Sequence, residues 1–259
     1  MNIALLLSGG TGSRMGAGVP KQYVSVWGER IITTVLKTFY SHPEIHALQI
    51  AADPAWQAEI QREQEQLPGY KDLFRGFSLP GQTRQLSIQN SLRDISAYAG
   101  EEDVILIHDA ARPLVSAQLV SDCLTAIEHH DGVMPALPMT DTVYLSHNGK
   151  QISGLLNREQ VIAGQAPEAF RFGKYVKANE ALTPERMLEI NGSAEPAILA
   201  GMDLVTIPGD PGNFKITTPK DLEQYRAIRR QQAGIKELAP EEGQLRKNAK
   251  ITICQQTSQ

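Results

Sequence analysis

The sequence predicts an α/β protein with a mostly parallel sheet that carries helices on both faces. Two observations indicate this fold. Short apolar runs of strand length alternate along the chain with amphipathic segments of helical period. The first of these runs, Ile3–Leu7, stops directly at glycines, which is where a strand of an open parallel sheet passes into a ligand-binding loop. The length of 259 residues corresponds to one large domain or two small ones.

The first strand is followed by further strands and helices in alternation. In the helix predicted from Ile31 onward, the apolar residues recur at the spacing that places them on one face. The expected strands are Ile3–Leu7, His46–Ala52, Asp103–His108, Val133–Leu137, Asp203–Ile207 and Phe214–Ile216. The expected helices are Ile31–Tyr40, Pro54–Gln66, Ser87–Ala97, Leu114–His130 and Pro219–Arg230, the last with a proline in its first turn.

The stretch Asp141–Arg158 interrupts this alternation. Two short strand-like runs flank Asn148-Gly149, a strong signal for a hairpin turn. We expect an arm over residues 138–160 that serves as a dimerisation arm or a lid; the alternative is an ordinary surface excursion. The domain is predicted to span residues 1–230, and residues 231–259 form a tail rich in Gln, Lys and Glu.

Composition excludes several classes of protein. Hydrophobic residues make up 41% and charged residues 21% of the chain, as in folded globular proteins. The net charge of −4 disfavours a dedicated nucleic-acid binder, which needs clustered Lys and Arg. Two cysteines, Cys123 and Cys254, provide neither a disulfide framework nor a metal cluster, which indicates a reducing compartment.

The N-terminal segment predicts no targeting to a membrane. No positive charge precedes Ile3, as a signal peptide would require. No segment reaches the roughly 18 apolar residues of a membrane span. The expected location is the cytoplasm.

The glycine-rich segment after the first strand is the first chemical motif. It reads LSGGTGSRMG and is closed by Pro20-Lys21-Gln22. It lacks the GK[ST] ending of a Walker loop, and Met15 stands where a dinucleotide loop has its third glycine. Arg14 and Lys21 follow the glycines and could neutralise phosphate charge. The alternative is a glycine turn with two surface cations.

The segment HDAARP ends the clearest buried strand. A carboxylate at this position can hold Mg²⁺, which prefers oxygen ligands, and Asp109 is the predicted ligand. Arg112 is close enough in sequence to meet a phosphate beside it. His108 is interpreted as a packed, hydrogen-bonded residue. The remaining candidates, Lys215 in NFKITTPKDL and the segment GQTRQLSIQN, are weak signals on their own.

Six segments, in their order along the chain, resemble the cytidylyltransferases that act on 2-C-methyl-D-erythritol 4-phosphate or on D-ribitol 5-phosphate. They are GGTGSRMG with PKQ, GQTRQLSIQN, HDAARP, DTV, NR with GQAPEAF, and NFKITTPKDL. The resemblance runs from about Ile3 to Arg230. It implies a Rossmann-like nucleotidyltransferase domain that dimerises through an arm and transfers CMP from CTP to a polyol phosphate.

The resemblance also assigns roles. It places the triphosphate of CTP at Gly9, Gly10, Arg14 and Lys21, with Ser8 as a further CTP-binding residue. It places the cytidine at Gly81, Arg84 and Ser87, the α-phosphate at Lys215, and Mg²⁺ at Asp109. It places the acceptor at Arg112, Asp141 and Thr142, together with Arg158 of the neighbouring subunit. Arg14, Lys21 and Lys215 are the expected catalytic residues.

The identity of the acceptor is left open between two branches of the family. HDAARP resembles the methylerythritol branch, which belongs to isoprenoid biosynthesis, and this is the leading interpretation. Asn157-Arg158 and Gly164-Gln165 resemble the ribitol branch. Ala166-Pro167-Glu168 stands where both branches have Thr-Pro-Gln, and Asn191-Gly192 stands where methylerythritol enzymes have Thr-Asp. Another polyol phosphate or a phosphonate, or a non-catalytic CTP-binding regulatory protein, is the further alternative.

Overall fold

The computed structural model describes residues 1–10 and 19–232. Over these residues the strands are β1 (Asn2–Leu7), β2 (Ser25–Val26), β3 (Glu29–Arg30), β4 (Ala47–Ala51), β5 (Phe74–Ser78), β6 (Val104–Asp109), β7 (Gly132–Pro138), β8 (Val143–Leu145), β9 (Gly154–Leu156), β10 (Ile162–Gly164), β11 (Glu168–Arg171) and β12 (Leu204–Pro208). The helices are α1 (Ile31–Tyr40), α2 (Pro54–Gln64), α3 (Tyr70–Leu73), α4 (Arg84–Ile95), α5 (Ala117–Ala126), α6 (Phe172–Glu180), α7 (Pro184–Glu189), α8 (Ala194–Leu199) and α9 (Pro219–Gln232).

The central sheet is mostly parallel, as the sequence predicts. Within the described chain it contains eight strands, in the spatial order β12-β7-β11-β6-β1-β4-β5, with β10 beside β7. The strands β1, β4, β5 and β6 are parallel to one another, and β12 is parallel to β7. The segment that forms β10 and β11 runs antiparallel to β7, and β11 also runs antiparallel to β6. The result is a mixed α/β sheet.

Alternating side chains of the buried strands fill two cores, one on each face of the sheet. In β1, Ala4 and Leu6 pack with α1, α2 and α5, whereas Ile3 and Leu5 pack with α4, α6 and α8. Successive residues of a strand point to opposite faces, so a strand that is apolar on both faces needs a layer of helices on each side. The three-layer α/β architecture is therefore confirmed.

A third, smaller cluster fixes the C-terminal part of the described chain. It joins Val26 of β2, Ile31 at the start of α1, and Leu222 and Tyr225 of α9 to Ile216. Ile216 is fully buried. Because Lys215 precedes it, this cluster holds the segment that presents Lys215 to the sheet edge.

The helix and strand boundaries predicted from the sequence agree with the structure in some cases and differ in others. The helix at Ile31–Tyr40 is confirmed at both ends. The predicted strand at Phe214–Ile216 is wrong, because the Ile216 N–H donates to the Ala111 carbonyl (2.9 Å) and the segment rests on the loop after β6. The helix predicted from Ser87 begins earlier, at Arg84, because the side chain of Thr83 caps it.

The hairpin predicted around Asn148-Gly149 is also confirmed. β8 and β9 pair antiparallel, with Tyr144 opposite Leu155. The Asn148 Oδ1 accepts from two N–H groups of the turn, and Gly149 has a φ of 69°. Several large apolar side chains of this arm are exposed, among them Leu155 at 67%.

Two further predictions can be compared with the structure only over the residues that it describes. Across residues 1–10 and 19–232, none of the helices combines the length and the hydropathy that a membrane span requires. Most of the predicted tail and Cys254 lie outside these residues, so the domain boundary at 230 stays a prediction.

Two leucine truncations test the position of the core. Leu36 in α1 is fully buried, whereas Leu188 in α7 is 57% exposed. We expect Leu36→Ala to lower the free energy of unfolding by about 3 kcal/mol, because it leaves a cavity against the sheet. Leu188→Ala, the matched control, should change it by less than about 0.5 kcal/mol. Urea denaturation measures both values, and equal losses would contradict the packing.

Candidate active site

A cavity of about 630 Å³ opens at the carboxyl ends of β1, β4, β5 and β6. In open α/β sheets ligands bind at this edge. The binding crevice lies beside the first strand, where the strand order reverses and the chain continues to the opposite side of that strand. The lining residues come from the loops that follow these strands and from the segment before α9: Leu7, Gly9, Gly10, Lys21, Gln22, Asp53, Pro80, Gly81, Gln82, Thr83, Arg84, Ser87, Asp109, Ala111, Lys215 and Thr217.

The turn after β1 reaches the cavity because position 9 is glycine. A Cβ on Gly9 would lie 2.3 Å from the Cβ of Pro80, so only glycine allows the loops after β1 and β5 to meet. Ser8 is buried, and its hydroxyl donates to the Tyr23 hydroxyl (2.8 Å). Gly9, Gly10 and Lys21 line the cavity, and their contact with a triphosphate stays a prediction. Arg14 lies outside the described residues.

The loop before α4 is held by its own side chains. A Cβ on Gly81 would lie 2.3 Å from the Cβ of Leu86, so the loop folds tightly over the start of the helix. The Ser87 hydroxyl accepts from the Gly81 N–H (3.0 Å) and donates to the Thr83 carbonyl (2.9 Å). Ser87 therefore shapes this wall of the cavity, and a direct contact with cytidine stays a prediction.

A single carboxylate, that of Asp109, lies beside three cationic side chains at the end of β6. Asp109 is 2.9 Å from the Lys215 Nζ, 3.3 Å from the Arg84 Nε and 3.6 Å from the Arg112 Nε. The three cations come from different parts of the chain: Arg84 begins α4, Arg112 follows β6, and Lys215 precedes α9. The structure thus brings together four residues that the sequence singled out separately.

The cations keep this carboxylate ionised. Burial alone would raise the pKa of Asp109, but Arg84, Lys215 and Arg112 outweigh that effect and hold the pKa well below its usual range. Burial lowers the pKa of the Arg112 guanidinium, and the charge of Asp109 opposes that shift. The cluster formed by these four residues carries two more positive than negative charges, which suits it to an anionic ligand.

A second carboxylate, which the sequence did not identify as functional, stands behind Arg84. Glu168 begins β11, and its Oε1 lies 3.9 Å from the Arg84 Nη2. Ser193 accepts from the Arg84 Nη1 (2.7 Å). Burial raises the pKa of Glu168. The only signal in the sequence was the departure at Ala166-Pro167-Glu168, which assigned Glu168 no role.

The loop before Lys215 is tied to the same segment. The Asn213 carbonyl accepts from the Arg112 Nη1 (2.8 Å), and the Asn213 Nδ2 donates to the Ala166 carbonyl (2.7 Å). Gln165 makes two hydrogen bonds to the backbone of Asp210, each of 2.9 Å. These contacts hold Arg112 and the Lys215 segment in fixed relation to the segment between β10 and β11. Sequence spacing gave no sign of them.

His108 takes a packing role, as expected. Its Nε2 lies 3.1 Å from the Arg112 carbonyl, and its ring lies 5.3 Å from that of Phe39. Burial lowers the pKa of His108 to about 4, so the ring is neutral near pH 7.

The predicted acceptor residues on the arm are not brought to the cavity within one chain. Asp141, Thr142 and Arg158 are exposed, and none of them is among the residues that line it. The Arg158 Nη1 donates to the Thr140 carbonyl (3.0 Å). Their roles stay predictions, and that of Arg158 requires a second subunit.

The residues present do not form a complete metal site. Within the described chain, no group of three or more His, Cys, Asp or Glu residues could hold a metal ion. Both oxygens of Asp109 already face cations. A magnesium ion at this edge would therefore take most of its ligands from phosphate oxygens and water.

Fold and site together define an α/β protein of the nucleotidyltransferase class. The profile of one family, IspD, 2-C-methyl-D-erythritol 4-phosphate cytidylyltransferase, matches residues 2–231. The chain belongs to this family, which confirms the resemblance read from its six segments.

Individual relatives agree with this assignment. The 2-C-methyl-D-erythritol 4-phosphate cytidylyltransferase of Geobacter metallireducens is 34% identical over 223 residues, which cover 85% of this chain and 93% of the relative. The bifunctional enzyme IspD/IspF of Nitrobacter winogradskyi is 30% identical over 224 residues, which cover 86% of this chain and 54% of the relative. The chain thus spans about half the length of several curated relatives that it matches.

Solved structures support the fold. The 2-C-methyl-D-erythritol 4-phosphate cytidylyltransferase of Francisella tularensis superposes with a TM-score of 0.72 at 24% identity, covering 88% of this chain and 99% of the other. The enzyme of the same name from Thermus thermophilus gives a TM-score of 0.65 at 24% identity, covering 87% and 98%.

Replacement of the central carboxylate tests the electrostatics of the site. Asp109→Asn leaves Arg84, Arg112 and Lys215 without their shared counter-charge, so we expect a loss of about 3 kcal/mol in the free energy of unfolding at pH 7. Because the folded-state pKa of Asp109 is lowered, its contribution is complete above the ordinary pKa of about 3.9 and is lost as the pH falls below it.

The pH dependence separates charge from packing in that variant. Denaturation between pH 3 and pH 7 should show wild-type stability falling at the acid end, with a smaller fall in Asp109→Asn. A parallel fall in both proteins would contradict the assignment of a lowered pKa to Asp109.

Proposed function

We propose that this chain transfers CMP from CTP to 2-C-methyl-D-erythritol 4-phosphate, forming the CDP-alcohol and releasing pyrophosphate. The observation that carries the proposal is the gathering of Arg84, Arg112 and Lys215 around Asp109, beside a glycine turn and Lys21, at the ligand-binding edge of the sheet. Membership of the cytidylyltransferase family supports the choice of nucleotide and acceptor.

The reaction needs no general base. A phosphate oxygen of the acceptor attacks the α-phosphorus of CTP, a new P–O bond forms, and the bond to the departing pyrophosphate breaks. The second pKa of a phosphate monoester is about 6, so the nucleophile is ionised near neutral pH. Catalysis consists of aligning two anions and stabilising the charge that develops on the transferring phosphoryl group.

The residues divide between the two substrates. Gly9, Gly10 and Lys21 receive the triphosphate, with Arg14 as a further predicted contact. Ser8, which the sequence also predicted to bind CTP, is buried with its hydroxyl donating to Tyr23, and supports the turn. Lys215 contacts the α-phosphate, where the charge changes during transfer. Arg112 faces the acceptor phosphate, together with Asp141 and Thr142 and with Arg158 of a second subunit. Gly81, Arg84 and Ser87 form the wall beside the cytidine.

Magnesium enters as part of the nucleotide substrate. Mg²⁺ prefers oxygen ligands, retains several waters and bridges phosphates, and the donor set around Asp109 fits that role better than that of a resident metal site. Contact between the ion and Asp109 remains the prediction from sequence.

We also propose a homodimer formed through the arm, in the cytoplasm. The exposed apolar side chains Tyr144, Ile152 and Leu155 on and beside β8 and β9 give a second copy an apolar surface to cover. Dimerisation would also supply Arg158 to the partner's cavity.

Pyrophosphate release tests the acceptor. CTP and Mg²⁺ are incubated with 2-C-methyl-D-erythritol 4-phosphate in one reaction and with D-ribitol 5-phosphate in another. We expect release with the first alone. Release with the second alone would assign the protein to the ribitol branch, to which Asn157-Arg158 and Gly164-Gln165 point. Binding of CTP without release in either reaction would contradict both acceptors and leave another polyol phosphate or a phosphonate. Binding of CTP without release across a panel of alditol phosphates would favour a non-catalytic regulatory protein.

Removal of the lysine at the α-phosphate tests the catalytic assignment. We expect Lys215→Ala to lower kcat at least about a hundredfold, because it removes one charge donor to the transition state. Lys21→Ala should have an effect of similar size. Lys220→Ala, an exposed lysine five positions further along, is the control and should leave kcat unchanged. A mild effect of Lys215→Ala would remove Lys215 from the reaction.

Mixing two inactive variants tests the shared site. Arg158→Ala and Lys21→Ala homodimers should each be nearly inactive. After subunit exchange, half of the dimers would be mixed and would hold one complete site, so activity should return to about one quarter of wild type. No recovery in a mixture shown by mass spectrometry to contain mixed dimers would contradict the role of Arg158 across the interface.

A further inference from the structure

We propose that Gln22, with Tyr23, is a positioning residue that fixes the turn formed by residues 8–10 in the shape that receives the triphosphate. We call this turn the glycine turn. The inference rests on the proposed function. It extends that function to two residues that, unlike Lys21 and Lys215, carry no charge. Gln22 and Tyr23 follow Lys21 directly, in one turn of 3-10 helix.

Gln22 holds two carbonyl groups of the glycine turn. Its Nε2 donates to the Ser8 carbonyl (2.7 Å) and to the Gly10 carbonyl (2.8 Å). Gln22 is only 3% exposed, so these bonds are shielded from water. One amide group thereby spans the turn, from the residue before Gly9 to the residue after it.

Tyr23 secures the same turn from the other side. Its hydroxyl donates to the Ser8 carbonyl (2.9 Å) and accepts from the Ser8 hydroxyl (2.8 Å). The ring stacks on Trp56 at a centroid distance of 4.3 Å, which fixes the hydroxyl in place. The Ser8 N–H donates to the Ala51 carbonyl at the end of β4 (2.8 Å). Ser8 is thus held at every polar group.

These bonds determine whether the N–H group or the carbonyl oxygen of a peptide group faces a bound anion. A carbonyl oxygen that turned toward the cavity would place negative charge against the phosphates. The amide of Gln22 keeps the Ser8 and Gly10 carbonyls occupied, so they cannot turn toward the ligand. Glycine backbone is otherwise free to rotate, which makes such an anchor necessary at this position. Because Lys21 belongs to the same 3-10 turn, Gln22 also fixes the spacing between that cation and the glycine turn.

The chain offers a matched pair outside the site. Gln64 in α2 is fully buried, and it accepts from the hydroxyl of Tyr40 (2.8 Å) and donates to Gln61 (2.9 Å). It lines neither the cavity nor the glycine turn. Gln64→Met therefore removes hydrogen bonds from a buried Gln–Tyr pair without touching the proposed ligand site.

The test compares Gln22→Met with Gln64→Met. Methionine keeps the size of glutamine and removes both donors. Titration calorimetry with CTP and Mg²⁺, without acceptor, measures nucleotide affinity. We expect Gln22→Met to raise the Kd for CTP about tenfold, as the loss of two hydrogen bonds would, and Gln64→Met to leave it unchanged. KM for CTP should rise in the same proportion, while KM for the acceptor stays constant.

A second measurement needs no nucleotide. Hydrogen exchange of the amides of residues 8–10 in the free protein should be faster in Gln22→Met than in wild type, and unchanged in Gln64→Met. Gln22→Glu, which sets a carboxylate against two carbonyl oxygens, should weaken CTP binding further than Gln22→Met.

Two results would overturn the inference: equal CTP affinity in wild type and Gln22→Met, or equal losses of affinity in the Gln22 and Gln64 variants. Failure of the wild-type protein to bind CTP would instead contradict the proposed function. In that case exchange of residues 8–10 still decides whether Gln22 fixes the turn.

Discussion

The site depends on one ion-pair cluster, in which the carboxylate of Asp109 faces three cations at the end of a buried strand. A buried carboxylate is costly without partners, and three neighbouring cations repel one another without a counter-charge. Each side therefore stabilises the other, and the cations remain close together before any ligand arrives. Arg112 and Lys215 belong to segments about a hundred residues apart, so this cluster also joins distant parts of the chain.

Several features of the fold place these groups. The apolar cores on the two faces of the sheet fix the position of β6, and therefore the position of Asp109 at its end. The burial of Ile216 fixes Lys215, and the hydrogen bonds of Asn213 fix Arg112. The antiparallel strand β11 starts beside this edge with Glu168, and Ala166-Pro167-Glu168 stands where the resemblance to the family leads us to expect Thr-Pro-Gln.

The sequence predicted the parallel part of the fold well because local patterns encode it. Periodicity located α1 and the buried strands, and Asn148-Gly149 located the hairpin. The sequence analysis missed the antiparallel strands β10 and β11 and mistook Phe214–Ile216 for a strand. Both errors arise because strand partners and loop contacts come from distant parts of the chain, which local patterns do not encode. Charged and glycine residues in motifs were recognised as site candidates. The groups that hold them, such as Gln22, Asn213 and Glu168, are polar residues whose role appears only when distant segments meet.

We propose that Lys215 and the glycine turn receive the triphosphate of CTP, with Arg84 beside the cytidine and Arg112 facing the acceptor. A crystal structure of the protein with CTP and Mg²⁺ tests it most directly. We expect the triphosphate along Gly9, Gly10 and Lys21, with the α-phosphate in contact with Lys215. A second cavity of about 520 Å³ lies between α1 and α2 and is lined by charged residues, among them Arg30 and Arg62. Nucleotide bound there, or at the sheet edge with its phosphates directed away from Lys215, would contradict the account.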